Sequence, residues 1–302
     1  MLRHVALVTS LLAVACGASR PTPVSSASQP GYAMKYADAV AGTTKTIGER
    51  QTDAKQITSG FGARVDELKK PDWARVETVV ERADESGRSA GYGEARAEWG
   101  AVHRFWTEER ETIGGKVAGG VDYTAKEKGC NAELGGAAAY ALKDAVDKQQ
   151  EKRLRAKNEA FVVIERYATV LGKENTKVLE KLADDVARAS WIVNVDLPEE
   201  RERLKARVAE KSSVGKTLDG IVEDEKAFQA EPGRTDADKK ASEERIAAAT
   251  KQRAEVDKAA AQADEALQRL DAQIEDAKKD YAAALEALKA KIAEKKKTAD
   301  KS

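Results

Sequence analysis

The strongest periodicity lies in the last third of the chain. Ile246, Ala249, Arg253, Val256, Ala260, Ala263, Leu267, Leu270, Ile274, Ala277, Tyr281, Ala284 and Leu288 step by alternating threes and fours. That spacing predicts the seam of a coiled coil over about six heptads. Leu285 and Ile292 fall off the series and predict a drift of phase near its end. A helix of roughly 60 residues is on the order of 90 Å long and must lie against something over that length. The seam is rich in alanine and interrupted by Arg253, so close pairing of modest stability is expected. The turn EPGR at 231–234, with Thr235 or Asp236 as the following cap, returns the chain from a helix over 199–230. That helix covers about half of the seam, leaving the rest to an earlier long helix or to another subunit.

Upstream patterns are also helical. In KKPDWARVETVVERADESG, Trp73, Val76, Val79, Val80 and Ala83 share one face, Pro71 fits a first turn and Gly87 fits the end. Tyr32 to about Lys55 carries scattered apolar residues among glycines and threonines, a weaker helical pattern. Trp99, Val102, Trp106, Ile113 and Val117 mark another face, with Gly115 and Gly119 four apart, and GGAAAYAL offers a second thin face for close packing. A long helix is expected from about Gly136 to Leu171, broken by Gly172. Another runs from Val178 through Leu182 and Val186 to Trp191 and Val193, and Pro198 starts the next. WIVNVDL is the one stretch with any strand character. The expected fold class is therefore all-α: an elongated helical bundle with a long C-terminal coiled-coil hairpin, divided into a helical body over 32–197 and the hairpin over 198–302.

Composition agrees with elongation. Aromatic residues make up 5% of the 302 residues and charged residues 34%, which is lean in large core formers. Net charge is +0, so no basic face points to nucleic acid.

The N-terminus changes the picture of where such a chain works. Arg3 precedes an uncharged, mostly apolar run from Val5 to Ala15, long enough for a secretory signal and too short to cross a bilayer. Ala13-Val14-Ala15 forms an A-x-A site, and Ala15-Cys16-Gly17 ends a lipobox. Residues 1–16 resemble a bacterial lipoprotein precursor, with Ala13 where that pattern usually carries Leu. The resemblance implies diacylglycerol on Cys16 as the mature N-terminus and, with no Asp after it, outer-membrane delivery. SRPTPVSSASQPG then reads as a tether over 16–31. The alternative is plain A-x-A cleavage and a secreted or periplasmic soluble protein. Cys130 is a lone thiol if Cys16 is lipidated, and a partner for Cys16 if it is not.

Candidate chemistry is sparse. With His4 in the signal, His103 is the one histidine of the mature chain, and Glu98, Glu108 and Glu109 near it lack the Glu-x-x-His spacing of a helical metal site. No G-x-S-x-G elbow accompanies it. Gly115-Lys116 lacks the Ser or Thr and the strand of a phosphate loop. Asp184-Asp185 and Glu199-Glu200 read as solvated helix faces or first-turn charges. No metal, cofactor or small-molecule substrate is expected. The leading expectation is a non-enzymatic, lipid-anchored envelope protein that spaces, scaffolds or docks other envelope proteins, or itself, through helical surfaces. The site residues are Cys16 for lipid and Ile246, Val256, Leu267, Leu270, Ile274, Tyr281 and Leu288 for the seam. A chaperone-like binding module is the alternative, and an enzyme built on the bundle around Trp99 to Trp106 a lesser one.

Overall fold

The structure, a computed structural model, describes residues 32–104 and 145–300. Every regular element in it is helical. In chain order these are α1 (Tyr32–Ser59), α2 (Phe61–Asp66), α3 (Trp73–Gly87), α4 (Ala90–Arg104), α5 (145–156), α6 (Glu159–Arg166), α7 (Ala168–Leu171), α8 (Lys173–Trp191), a π-helical segment (Ile192–Asp196), α9 (Leu197–Ala230) and α10 (Asp236–Ala299). Cys16, Cys130, Trp106, Glu108, Glu109 and the two thin glycine faces lie outside the described residues, as does the side chain of His103.

α1 is the weakest pattern in the sequence and one of the longer helices in the fold. Tyr36, Val40, Ile47 and Ala54 are buried along it. Its β-branched threonines cost little, because Thr43, Thr44 and Thr52 turn their hydroxyls back onto the carbonyls four residues earlier. α3 begins one step later than Pro71 implies: Asp72 is the cap, accepting from Ala74 N and Arg75 N, and Pro71 stands just before it. The buried face of α3 is the expected one, with Val76, Val79, Val80 and Ala83 fully covered.

The long helix expected over 136–171 is broken within its described part. Asn158 is 1% exposed, accepts from Ala160 N to cap α6, and donates to the Ala183 carbonyl across the interface. A capping amide satisfied from both sides ends one helix and starts the next. Gly172, at φ 81°, then separates α7 from α8 as its position implies.

Pro198 stands in the first turn of α9, yet no loop precedes it. α8 passes into α9 through Ile192–Asp196 with helical backbone at both joints, and the Leu197 N–H bonds the Ile192 carbonyl five residues back. A proline ring clashes with the carbonyl four residues earlier, and a wider π-turn gives it room. WIVNVDL is thus helical, and its valines and Ile192 serve the core.

The body is α2, α3 and α8 with α6 and the second half of α1. Its core is continuous with that of the hairpin, because the last turns of α10 return along the body. Tyr281 reaches Asp84, Lys291 reaches the Gly62 carbonyl and Asp66, and Lys296 reaches Glu77. Among the described residues the seam of α10 is therefore covered by α9, α1, α2 and α3 rather than by the described part, 145–171, of the long helix expected over 136–171.

Candidate functional site: the helical rod and its junction with the body

Ion pairs fix the register of the hairpin. Arg201 with Asp271, Lys211 with Asp257, Asp219 with Arg253 and Glu225 with Arg245 run in opposite senses along α9 and α10, so these helices are antiparallel. α1 is parallel to α10. Thr44, Ile47 and Gln51 share one groove with Ala266, Leu270 and Gln273, while Ala54 and Thr58 share the next with Ala277 and Asp280. Continued at that register, Tyr32 comes level with Ala254 of α10 and Lys216 of α9. Beyond that level, among the described residues, α9 and α10 pair with each other alone, forming a two-helix arm of roughly 28 Å at 1.5 Å per residue.

The expected seam residues line this rod. Val256, Leu270, Ile274, Tyr281 and Leu288 are buried, and Ile246 and Leu267 are half-buried. Leu285 and Ile292 are buried as well. Val256, Ile274 and Ile292 are spaced by eighteen residues, five turns of a 3.6-residue helix, so over this half the buried stripe follows a straight helix rather than a strict heptad.

The arm is held differently from the rest. Arg253, the interruption in the seam, lies over Gly215, where an added Cβ would fall 2.8 Å from its Cζ. It pairs with Asp257 at 2.8 Å and approaches Asp219 at 3.6 Å. Further out, Glu225 is 8% exposed and takes both ends of the Arg245 guanidinium, at 2.6 and 2.8 Å. That fork holds the Glu225 carboxyl below its usual range. The buried Ser242 hydroxyl bonds the Glu225 carbonyl at 3.1 Å. At the tip, Thr235 and Asp238 form a reciprocal capping box.

At the junction with the body, Asp84 Oδ1 accepts from Tyr281 Oη at 2.6 Å and from Ser190 Oγ at 2.8 Å, tying α10, α3 and α8 together. Burial, reinforced by the Asp84 carboxylate, raises the Tyr281 pKa and keeps its hydroxyl a donor. Asp196, 5% exposed at the end of the π-segment, meets Arg50 of α1 at 2.8 Å, and Arg50 also approaches Asp53, which pairs with Arg188. Burial pushes the Asp196 carboxyl up to about 6 against the pull of Arg50, with Glu200 adding to the rise.

Two shallow grooves between α1 and α10, of about 220 and 310 Å3, share Gln51 and Gln273. The Thr58 hydroxyl in the first is bonded to the Lys55 carbonyl. Among the described residues no group of three or more His, Cys, Asp or Glu side chains is placed to hold a metal, and no helix is long and apolar enough to cross a membrane. The sequence could not reveal which α9 residues oppose Arg253 and Arg245, since hairpin register is a tertiary fact. The chain matches no known protein-family model, and no curated protein or solved structure is significantly similar to it.

Proposed function

We propose that this chain is a lipid-anchored envelope protein, held through Cys16, whose rod spaces or scaffolds other envelope proteins and whose two-helix arm is the docking element. The observation that carries the reading is α10 itself. Its 64 residues form one helix on the order of 95 Å long. Among the described residues it is braced by the body at one end and paired only with α9 at the other. A braced rod holds its far end at a fixed distance from its base, which is what spacing requires. The N-terminal anchor and the envelope address rest on the lipoprotein-like signal.

The test is photo-crosslinking in cells of the native organism. A crosslinker at exposed arm positions Lys226, Glu243 or Thr250 is expected to give discrete protein adducts, and one at Glu81 on the body to give few. No adduct from any arm position would remove the docking element. Substitution of Cys16 by Ala is expected to release the protein from the membrane fraction; retention there would remove the lipid anchor.

A further inference from the structure

α4 and the end of α8 meet where two buried hydrogen-bond donors have no acceptor among the described residues. Tyr92 is 1% exposed and its hydroxyl has no partner; Trp191 is 4% exposed and its indole N–H has none. Arg96, which acts electrostatically on Tyr92, has its Cζ 4.8 Å from the centre of the Trp99 ring and 5.8 Å from that of Trp191. Among the described residues no carboxylate comes within ion-pairing distance of that guanidinium. Gly93 brings α4 close: a Cβ there would lie 3.5 Å from Trp191 Nε1 and from Val195 Cγ1.

Such donors call for an acceptor. A buried donor without a partner costs about 1–3 kcal/mol, and buried polar groups in folded proteins are otherwise almost always paired. Burial raises the pKa of Tyr92, so its hydroxyl keeps the proton to donate. Arg96 is a permanent cation with a planar fork of N–H groups. All three groups offer hydrogens, and the walls are indole rings.

The class of acceptor follows from the charge. Arg188, the second arginine acting on Tyr92, is already paired with Asp53 at 3.1 Å, and Asp184 offsets part of the field at Arg96 and Tyr92. Among the described residues Arg96 has no ion-pair partner, and a single such cation between aromatic faces suits a planar monoanion better than a dianionic phosphate. We propose that Tyr92, Arg96 and Trp191 form a carboxylate-binding site, the guanidinium taking the carboxylate in a bidentate grip while the indole N–H and the phenol complete its hydrogen bonds. The carboxylate belongs to a small organic acid or to a Glu or Asp side chain. The site is independent of the rod's proposed role, and either can fail alone.

The experiment uses the full chain with 15N-labelled tryptophan, following the indole N–H resonances, with Trp191 assigned through W191F. Acetate and a terminally blocked peptide containing one Glu are titrated separately, with inorganic phosphate as contrast. A saturable downfield shift of the Trp191 indole proton with either carboxylate is expected, weakened at least tenfold in R96Q and less in R96K, which keeps the charge but not the fork. A peptide binding tenfold more tightly than acetate identifies a protein side chain as the source; the reverse identifies a free acid. An unmoved Trp191 resonance, equal binding by R96Q, or phosphate binding more tightly than both carboxylates would overturn the site as assigned.

Discussion

One substitution separates local helix preference from tertiary packing. Gly87 closes α3 against α8, and an added Cβ would sit 2.3 Å from the Ala187 carbonyl oxygen and 2.7 Å from Ser190 Cβ. The first neighbour is backbone and cannot rotate away, so the helices must part by roughly 1 Å to restore ordinary contact distances. The face that would loosen includes Val76, Val79, Val80 and Ala83 on α3 and Leu182, Ala183 and Val186 on α8, all fully buried. Overpacking of this kind costs about 1–3 kcal/mol, and strain on the Ser190–Asp84 hydrogen bonds adds about 1 kcal/mol. The gain in helix propensity from glycine to alanine returns at most about 1 kcal/mol, and less at a helix end. Gly87→Ala is thus expected to destabilise by roughly 3 kcal/mol, lowering Tm by about 6–12 °C for a chain of this size. Gly48→Ala is the paired control: nothing lies within 4 Å of its added Cβ, in mid-α1, so propensity alone acts and stabilises by about 1 kcal/mol. Urea unfolding followed by helical circular dichroism measures both. A G87A protein as stable as the parent would mean that α3 and α8 do not cross at Gly87.

Tyr281→Phe removes a 2.6 Å hydrogen bond to a carboxylate while Ser190 and Arg88 still hold Asp84, so a loss of about 1–2 kcal/mol is expected by urea titration; no loss would place Tyr281 away from Asp84. Asp196, with its folded pKa raised to about 6, contributes stability that is present below about pH 4 and lost as pH rises through 6. Stability is therefore expected to climb by about 1.4 kcal/mol from pH 7.5 to pH 5, and Asp196→Asn to flatten that climb; an unchanged climb in the variant would clear Asp196 of it.

What the sequence made legible was each helix's own face; which faces meet was not. Trp73, Val76, Val79, Val80 and Ala83 are buried as their spacing implies, and Gly172 breaks the chain where it stands. α1 was faint because its apolar positions are thinly spread, although Val40, Ile47 and Ala54 recur every seven residues and its threonines satisfy themselves within the helix. Asn158 has an unremarkable place in a helical run until Ala183 of another helix is brought within reach of its amide. The same holds for Arg96, Tyr92 and Trp191. The Tyr92 hydroxyl and the Trp191 indole N–H meet no acceptor among the described residues, although they sit on positions nearly a hundred residues apart in the chain.

The two halves of the rod differ in what holds them, and the difference has a measurable consequence. From Leu270 to Ile292, α10 buries Ile274, Tyr281, Leu285 and Leu288 as well, against α1, α3 and the body. From Asp236 to Ala254 its partners on α9 include Leu218 and half-buried Ile221, Phe228 under two arginines, a glycine under an arginine, and a glutamate in an arginine fork. Polar interlocks fix register, since a one-turn slip strands Glu225 and Arg253, but each adds only modest net stability. Apolar burial, which scales with area, is concentrated at the braced end. The rod is therefore well registered throughout and firmly held only near its base. Amide hydrogen exchange is expected to show the arm over 216–252 opening locally, with protection at least tenfold below that of 270–292, whose amides exchange only with wider unfolding. Uniform protection along α10 would mean that the arm's polar contacts hold as strongly as the core, and the contrast between the two halves of the rod would have to be given up.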